Sequence, residues 1–359
     1  MSLAPDLEAW LRLSLTQGLG GESFRKLLSA FGGPEQILGA SRTSLTTVVS
    51  GKIADAILDA SLQGDLATVE TWLADPMNHV VTFADTEYPQ ALLQTPDPPP
   101  LLYVKGRCTL LNQPAIAIVG SRNATAQGKL TAESFGTALS NAGLCVVSGL
   151  ALGIDAAAHR GGLAGLSSTI AIVGTGLDKV YPARNRELAH VIADKGAIIS
   201  ELALGTPPLA ANFPRRNRLI SGITRGCVVI EAALSSGSLI TARIANELGK
   251  DVFAIPGSIH STLSKGCHVL IKQGAKLVDD AADILGELRL PAPAGGAVAK
   301  ANATTVHPLL THMAFDPCDI DTLAGRAGLP VHEISAALIQ LELQGAVAGL
   351  PGGLWQRIM

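Results

Sequence analysis

Continuous apolar runs alternate with amphipathic stretches through the middle of the chain. The runs read AIAIVG (115–120), LCVVSG (144–149), STIAIVG (168–174), AIISE (197–201), CVVIEA (227–232) and DVFAIPG (251–257). Unbroken apolar strands are typical of a sheet covered on both faces, and the stretches between them are long enough for helical crossovers. The pattern predicts an α/β fold with a doubly wound, mostly parallel Rossmann-like sheet. Ligands of such sheets bind outside the carboxyl ends of the strands.

Residues 1–75 show a helical pattern instead. Leu27, Leu28 and Phe31 fall on one side of a helix that ends at Gly32, and Pro34 opens the next helix. The segment predicts a small helical domain of sterile-alpha-motif or helix-hairpin-helix type. Its turn at residues 18–21, GLGG, fits a hairpin whose backbone N–H groups meet a phosphate, and it fits a plain turn between bundle helices equally well.

Residues 307–359 predict a winged helix. Apolar positions recur at helical spacing in three short segments, and Pro351-Gly352-Gly353 forms the turn of a wing between Val347 and Leu354-Trp355. The third helix would be the one that enters a DNA groove. It carries Glu333 and Glu342 but no Lys or Arg, so a protein contact is favoured over groove reading.

Two joints separate these parts. A proline-rich lead-in, residues 76–111, contains QTPDPPP and precedes the core at residues 112–288. The Ala-, Pro- and Gly-rich stretch 289–306 lacks an amphipathic period, which predicts a flexible linker.

Charge and cysteine usage narrow the function. The whole chain has a formal net charge of −3, but residues 112–290 hold 17 basic and 13 acidic residues, so an anionic ligand is expected there. There is neither an apolar run of membrane-spanning length nor a start resembling a secretory signal, so we expect no membrane partner. The five cysteines form no CxxC pair, which favours the reducing cytoplasm and argues against a zinc site.

The candidate binding residues follow the predicted strand ends. Glycine turns let backbone N–H groups approach an anion, hydroxyls add donors, and arginine binds phosphate through two hydrogen bonds. The candidates are Ser121, Arg122, Ser148, Gly149, Lys179, Arg184, Arg215, Arg216, Asn217, Arg218, Ser236, Gly237, Ser238 and Arg243. Tyr181 and Phe213 stand beside basic residues and suit either base stacking or the core.

Each candidate also has a structural interpretation. The three arginines of the FPRRNR segment cannot share one face, so one or two of them would form ion pairs, such as Arg216 or Arg218 with Glu231. Carboxylates near strand ends, namely Asp155, Asp178, Glu201 and Glu231, suit arginine pairing and helix capping better than catalysis. His159 is interpreted as a packing residue rather than a general base.

Motifs of nucleotide and metal enzymes are missing. GSRNATAQG after the first strand does not fit GxGxxG, Gly128-Lys129 is followed by leucine rather than Ser or Thr, and no HExxH occurs. Neither a cofactor nor a metal is expected.

Together these segments resemble the DprA/Smf family of DNA-processing proteins. The resemblance rests on GSR, SGLALGIDAAAH, TIAIVGTGLDKVYPARN, FPRRNRLISG and VVIEAALSSGSLITARIANELGKDVFAIPG, which cover most of the α/β core. It implies a cytoplasmic protein of natural transformation that binds and protects incoming single-stranded DNA, loads the RecA recombinase, dimerises through its α/β core and has no catalytic activity.

The resemblance also implies which residues contact DNA. They are Arg122, the neighbourhood of Arg184, and the segment Arg215–Arg218. Relatives often carry a lysine directly after Tyr-Pro, where this chain has Ala183, so Arg184 or Lys179 would take its place.

Two other classes remain open at this stage. A nucleotide-processing Rossmann enzyme of the phosphoribohydrolase type would use the same glycine-rich strand ends, but in a compact pocket with one activated carboxylate. A structural adaptor would dimerise through the core and recruit a partner through the winged helix. A row of basic residues longer than one phosphate would favour a nucleic-acid strand.

Overall fold

The computed structural model of the protein describes residues 3–59, 63–290 and 307–358. Its main sheet has nine strands, β1 to β9, which are Asn78–Thr82, Leu101–Gly106, Ala115–Gly120, Cys145–Ser148, Thr169–Ile172, Ala197–Ser200, Gly226–Ile230, Asp251–Ala254 and Lys276–Leu277. Their spatial order is β1-β2-β6-β5-β4-β3-β7-β8-β9. From β6 to β9 every neighbouring pair is parallel, which confirms the mostly parallel Rossmann-like sheet.

The six strands predicted from apolar runs all form, as β3 to β8. Their side chains are almost fully buried because helices cover both faces. Ala126–Asn141 (α8), Ile154–Ala164 (α9), Arg186–Lys195 (α10) and Ala281–Glu287 (α14) cover one face. Asn212–Ile223 (α11), Ser238–Glu247 (α12) and Lys265–Lys272 (α13) cover the other.

The lead-in contributes two strands that the sequence analysis did not predict. β2 pairs antiparallel with β6, placing Tyr103 opposite Ser200, and β1 pairs antiparallel with β2. The short helix Gln90–Leu93 (α7) lies between them. Residues 78–106 therefore extend the central sheet.

Residues 5–59 and 63–72 form the helices α1 to α6, which are Pro5–Leu15, Gly21–Phe31, Pro34–Leu38, Arg42–Leu45, Gly51–Leu58 and Gln63–Trp72. The predicted helix end at Gly32 and helix start at Pro34 are both confirmed. These helices pack against the sheet through Leu101 and Tyr103 of β2, so their core is continuous with the antiparallel edge.

The C-terminal segment is a winged helix, as predicted. It consists of Pro308–Thr311 (α15), Cys318–Asp319 (β10), Ile320–Ala327 (α16), Val331–Leu343 (α17), Val347–Leu350 (β11) and Leu354–Arg357 (β12). Residues 291–306 of the predicted linker lie outside the described residues. Within the described ranges, none of the helices has the length and apolar character needed to span a membrane.

Candidate nucleic-acid interface

A cleft of about 710 Å³ opens at the carboxyl ends of β3 and β7. The chain leaves β3 toward β4 on one side and returns on the other side as β7, so this is the switch point where ligands of doubly wound sheets bind. Its walls come from the turn after β3, the turn after β7 and the first turns of α11. Seven of the predicted residues line it: Ser121, Arg122, Arg216, Asn217, Ser236, Gly237 and Ser238.

A cation and two aromatic rings form one rim of the cleft. The exposed guanidinium of Arg122 lies over the Phe213 ring, 5.8 Å from its centroid. The Tyr181 and Phe213 ring centroids are 5.7 Å apart, with the ring planes at 40°. Tyr181 is 47% exposed, so this rim offers stacking surface beside a positive charge. Proteins that bind single strands combine a positive charge for the phosphate backbone with aromatic rings on which bases stack, and both features lie side by side here.

The turn before α12 forms the opposite wall. The Ser236 and Ser238 hydroxyl oxygens are 2.7 Å apart, and the Ser238 N–H donates to the Ser236 hydroxyl oxygen at 3.3 Å. The Asn217 side-chain amide donates to the Gly237 carbonyl at 3.3 Å, which joins this turn to α11. Hydroxyls at the positive end of a helix dipole suit an anionic ligand.

Arg216 is the floor of the cleft rather than a mobile contact. Its side chain is buried, and its Nη1 donates to the carbonyl of Gly149 at 2.6 Å and to that of Ile172. A Cβ at position 149 would lie 2.3 Å from this Nη1, so only glycine leaves space for the guanidinium. Burial lowers the pKa of Arg216 to about 10, which keeps it charged at neutral pH.

Asp155 lies close enough to interact with the charge of Arg216. One carboxylate oxygen accepts the N–H groups of Gly149 at 3.1 Å and Ala151 at 3.3 Å. Burial raises the pKa of this carboxyl, and the positive charge of Arg216 opposes the rise. These two main-chain hydrogen bonds show that Asp155 stabilises the turn after β4.

Ser148 and His159 belong to the layer beneath the cleft. The Ser148 hydroxyl donates to the Ile118 carbonyl at 2.6 Å, inside the sheet. His159 Nε2 accepts the Leu150 N–H at 3.2 Å, and its Nδ1 lies 2.7 Å from the Thr169 hydroxyl. Burial lowers the pKa of His159 to about 3, so it is a neutral packing residue, as the sequence analysis interpreted it.

Arg215 and Arg218 point away from the cleft floor and share one carboxylate. Glu201 Oε2 accepts from Arg215 at 3.0 Å and also from Arg218. The Glu201 side chain is 4% exposed, and burial raises its pKa against the two arginine charges. Arg218 is mostly covered, whereas Arg215 is 58% exposed.

The prediction that Glu231 pairs with Arg216 or Arg218 is therefore wrong. Glu231 accepts the backbone N–H and the hydroxyl of Thr125, the residue that caps α8. Since α8 and α11 cover opposite faces of the sheet, the Glu231 carboxylate lies on the α8 face, away from the arginines of α11.

The remaining predicted residues lie outside the lining of the cleft. Lys179 donates to the Gly205 carbonyl, which joins the loops after β5 and β6. Arg184 is exposed in the short 3-10 turn Ala183–Asn185. Arg243 is 70% exposed on α12, 3.6 Å from Glu247, and lines a different groove. The structure thus gathers half of the predicted set into one site.

The cleft also contains residues that the sequence analysis did not select. Asn123 directly follows Ser121 and Arg122, and Ser235 directly precedes Ser236. Both could have been selected because they belong to the same turns as those predicted residues. Pro208, Ala210 and Leu263 come from loops with no chemical signal in the sequence.

The GLGG turn of the helical segment faces an acidic side chain. A Cβ at Gly21 would lie 2.5 Å from Asp97 Oδ1 and 2.9 Å from the Pro98 carbonyl oxygen. The lead-in therefore covers this turn with a carboxylate and a carbonyl. That environment favours the plain structural turn over the phosphate-binding hairpin.

Comparisons with known proteins identify the family of this chain. The family model of DNA recombination-mediator protein A matches residues 79–289, and that of the DprA winged helix domain matches residues 292–353. Protein Smf of Escherichia coli is 38% identical over 97% of this chain and 95% of its own length. DNA processing protein DprA of Streptococcus pneumoniae is 49% identical over 56% of this chain and 72% of its own length.

Two solved structures share the fold. The X-ray structure of DNA processing protein A from Streptococcus pneumoniae has a TM-score of 0.67 at 38% identity and covers 80% of this chain and 99% of that one. The structure of DNA processing protein A from Helicobacter pylori, described for its single-stranded DNA binding mode, has a TM-score of 0.54 at 30% identity, over 59% of this chain and 95% of that one.

Proposed function

Because this chain belongs to the DprA family of DNA recombination-mediator proteins, we propose that it binds single-stranded DNA across the cleft between β3 and β7. The single observation that carries the proposal is the rim where Arg122 lies over Phe213 beside Tyr181. Phosphates would contact Arg122 and the serine turn before α12, and bases would stack on the rings.

The charge of the cleft supports an anionic ligand. Its charged lining consists of Arg122, Arg216 and Asp155, so the positive charges are in excess. Asp155 and Arg216 are both buried and carry opposite charges, which leaves Arg122 as the exposed charge at the surface of the cleft. A phosphate approaching this rim meets a cation and no unpaired carboxylate.

Absence of catalysis is part of the proposal. The nucleotide-processing alternative needs an activated carboxylate in a compact pocket, whereas Asp155 is held by two main-chain N–H groups beside an arginine. We expect no base release when the protein is incubated with nucleoside monophosphates. Turnover above a no-protein control would instead support the enzyme.

The DNA proposal is tested by fluorescence anisotropy with labelled oligo-dT and a matched duplex at several salt concentrations. We expect preferential binding of the single strand. The logarithm of its binding constant should fall with log salt by about 0.7 per neutralised phosphate, for several phosphates. Equal binding of both DNA forms, or no binding at low salt, would contradict it.

Protection of incoming DNA and loading of RecA complete the proposed role in natural transformation, which also implies a cytoplasmic location. All five cysteines are free thiols, which suits a reducing compartment. We expect the protein to slow nuclease digestion of oligo-dT and to shorten the lag of RecA assembly on a single strand. Neither effect should occur on duplex DNA.

Glu201 limits the number of arginines that reach DNA. Its carboxylate binds both Arg215 and Arg218. Arg215 lies between Pro214 and Arg216, which line the cleft. Glu201→Gln keeps the volume but removes the charge, so we expect a few-fold tighter oligo-dT binding. The salt slope should steepen by about 0.7 for each arginine that gains a phosphate.

A matched control removes the same charge elsewhere. Glu133→Gln breaks an exposed ion pair with Arg160 at 3.5 Å on the α8 face. Its affinity and salt slope should stay close to the unsubstituted protein. If both glutamine variants tighten binding equally, only net charge matters and the proposed role of Glu201 is wrong.

Homodimerisation through the α/β core has its own support. A groove of about 540 Å³ runs along α12, α13 and the amino ends of β8 and β9, with Leu234 at its margin 65% exposed. Leu234→Asp should halve the mass measured by light scattering to that of the 36.9 kDa monomer. Leu166→Asp, at a site 85% exposed outside this groove, should leave the dimer intact. A dimer that survives Leu234→Asp would place the interface elsewhere.

A further inference from the structure

Helix α17 of the winged helix carries hydrophobic residues on two faces. Ile334, Leu338 and Leu341 are buried and form the core of this segment. On the opposite face Ile339 is 56% exposed and Leu343 is 86% exposed. A helix that only had to pack once would place polar residues at those positions. Among the residues that the structure describes, none covers this second apolar face.

The exposed face has the spacing of a helix-packing seam. His332, Ala336, Ile339 and Leu343 are all exposed and follow each other at intervals of four, three and four residues. That interval is the one by which two helices pack side by side with interdigitating side chains. Leu343 and Ile339 are the largest groups of this seam, and Ala336 leaves room for a partner's side chain.

The surroundings of the seam are acidic. Glu333 and Glu342 flank it, and α17 contains no Lys or Arg. Residues 307–358 hold five acidic and two basic residues. Glu342 is positioned at the base of the wing, where its Oε1 accepts the Gly349 N–H at 3.0 Å. DNA phosphates would be repelled at the helix that a DNA-binding winged helix inserts into the groove.

We propose that the outward face of α17 is a docking site for a cationic amphipathic helix of another protein. The partner helix would carry apolar residues at intervals of three and four, with Lys or Arg at the flanking positions. A second copy of this chain is disfavoured as the occupant, because two α17 seams would bring Glu333 and Glu342 of both copies together. The site is separate from the DNA cleft.

The test uses the full chain and two fluorescent peptides of identical composition. One has Leu at the seam positions and Lys at the flanking positions of three heptads; the other has the same residues permuted out of the heptad. We expect the first peptide to bind and the permuted peptide to bind at least about tenfold more weakly. Equal binding of the two would reduce the interaction to net charge and overturn the proposal.

Variants of the protein locate the binding face. Ile339→Ser combined with Leu343→Ser should weaken binding of the seam peptide at least about tenfold, because both groups bury apolar surface in the complex. Leu166→Ser removes an equally exposed leucine, 85% accessible, from the α/β core and should change nothing. Undiminished binding by the double variant would overturn the proposal. So would loss of duplex DNA binding, or of self-association measured by light scattering, in that variant.

Discussion

Arg216→Met is expected to lower the free energy of unfolding by about 3–5 kcal/mol, because it removes a buried side chain that donates to two main-chain carbonyls and balances the charge of a buried carboxylate. The substitution leaves the carbonyls of Gly149 and Ile172 without their donor and leaves the Asp155 carboxylate without its counter-charge. Urea unfolding followed by circular dichroism measures the loss. Binding assays on this variant would therefore report folding as well as contact with DNA.

The neighbouring arginine is the control for Arg216. Arg215→Met removes a side chain that is 58% exposed, so its cost should stay below about 1 kcal/mol. Adding Asp155→Asn to Arg216→Met should recover part of the loss, because the unpaired buried charge disappears. If Arg215→Met and Arg216→Met lowered the free energy of unfolding equally, Arg216 would not be the buried structural residue inferred here.

The stability lost in Arg216→Met should depend on pH in a defined direction. Burial raises the pKa of Asp155, and Arg216 holds that rise back, so removing the arginine raises the pKa further. A carboxyl whose pKa is higher in the folded state than in the unfolded state destabilises the fold at high pH and is relieved as pH falls through the raised pKa. The difference from the unsubstituted protein should shrink between pH 8 and pH 5.

Arg122→Ala is expected to weaken oligo-dT binding roughly tenfold to a hundredfold, since a charge-assisted hydrogen bond contributes about 1.5–3 kcal/mol. The loss should be the same for all sequences, and the salt slope should become shallower by about 0.7, because phosphate contacts carry no sequence information. Stability should change little, as Arg122 is exposed. Anisotropy titrations on oligo-dT and a mixed sequence measure these effects.

Arg160→Ala is the matched control for that experiment. It removes the same charge from α9, on the face of the sheet opposite α11, where Arg160 is 47% exposed and lies 3.5 Å from Glu133. Its affinity should stay within about twofold of the unsubstituted protein. If Arg122→Ala and Arg160→Ala weaken binding equally, the cleft is not the DNA site.

The parallel strands were predictable because an apolar run such as AIAIVG is typical of a strand buried on both sides. β1 and β2 were missed for a physical reason. NHVVT is a five-residue strand in a polar segment, and LLYVKG follows three prolines. Their extended conformation depends on pairing with β6, a tertiary contact that local propensity does not contain.

The site was predictable only in part. The sequence showed that Arg215, Arg216 and Arg218 diverge, because Arg215 and Arg218 lie three residues apart on one helix face. Their acidic partner is the carboxylate at the strand end that lies beneath α11. The crossover connections decide which strand end that is, because they place each helix on one face of the sheet. That is why Glu201, and not Glu231, receives them.

The antiparallel pairing of β2 with β6 has a consequence for how the core avoids aggregation. Without β2, the Ala197–Ser200 strand would present a row of unpaired N–H and C=O groups, a template onto which another chain adds. The lead-in therefore pairs the exposed side of β6 with a strand of the same polypeptide. A fragment beginning at residue 112 would keep every predicted parallel strand but would expose this unpaired edge to aggregation. A shortened protein that stays monodisperse should therefore begin before β1.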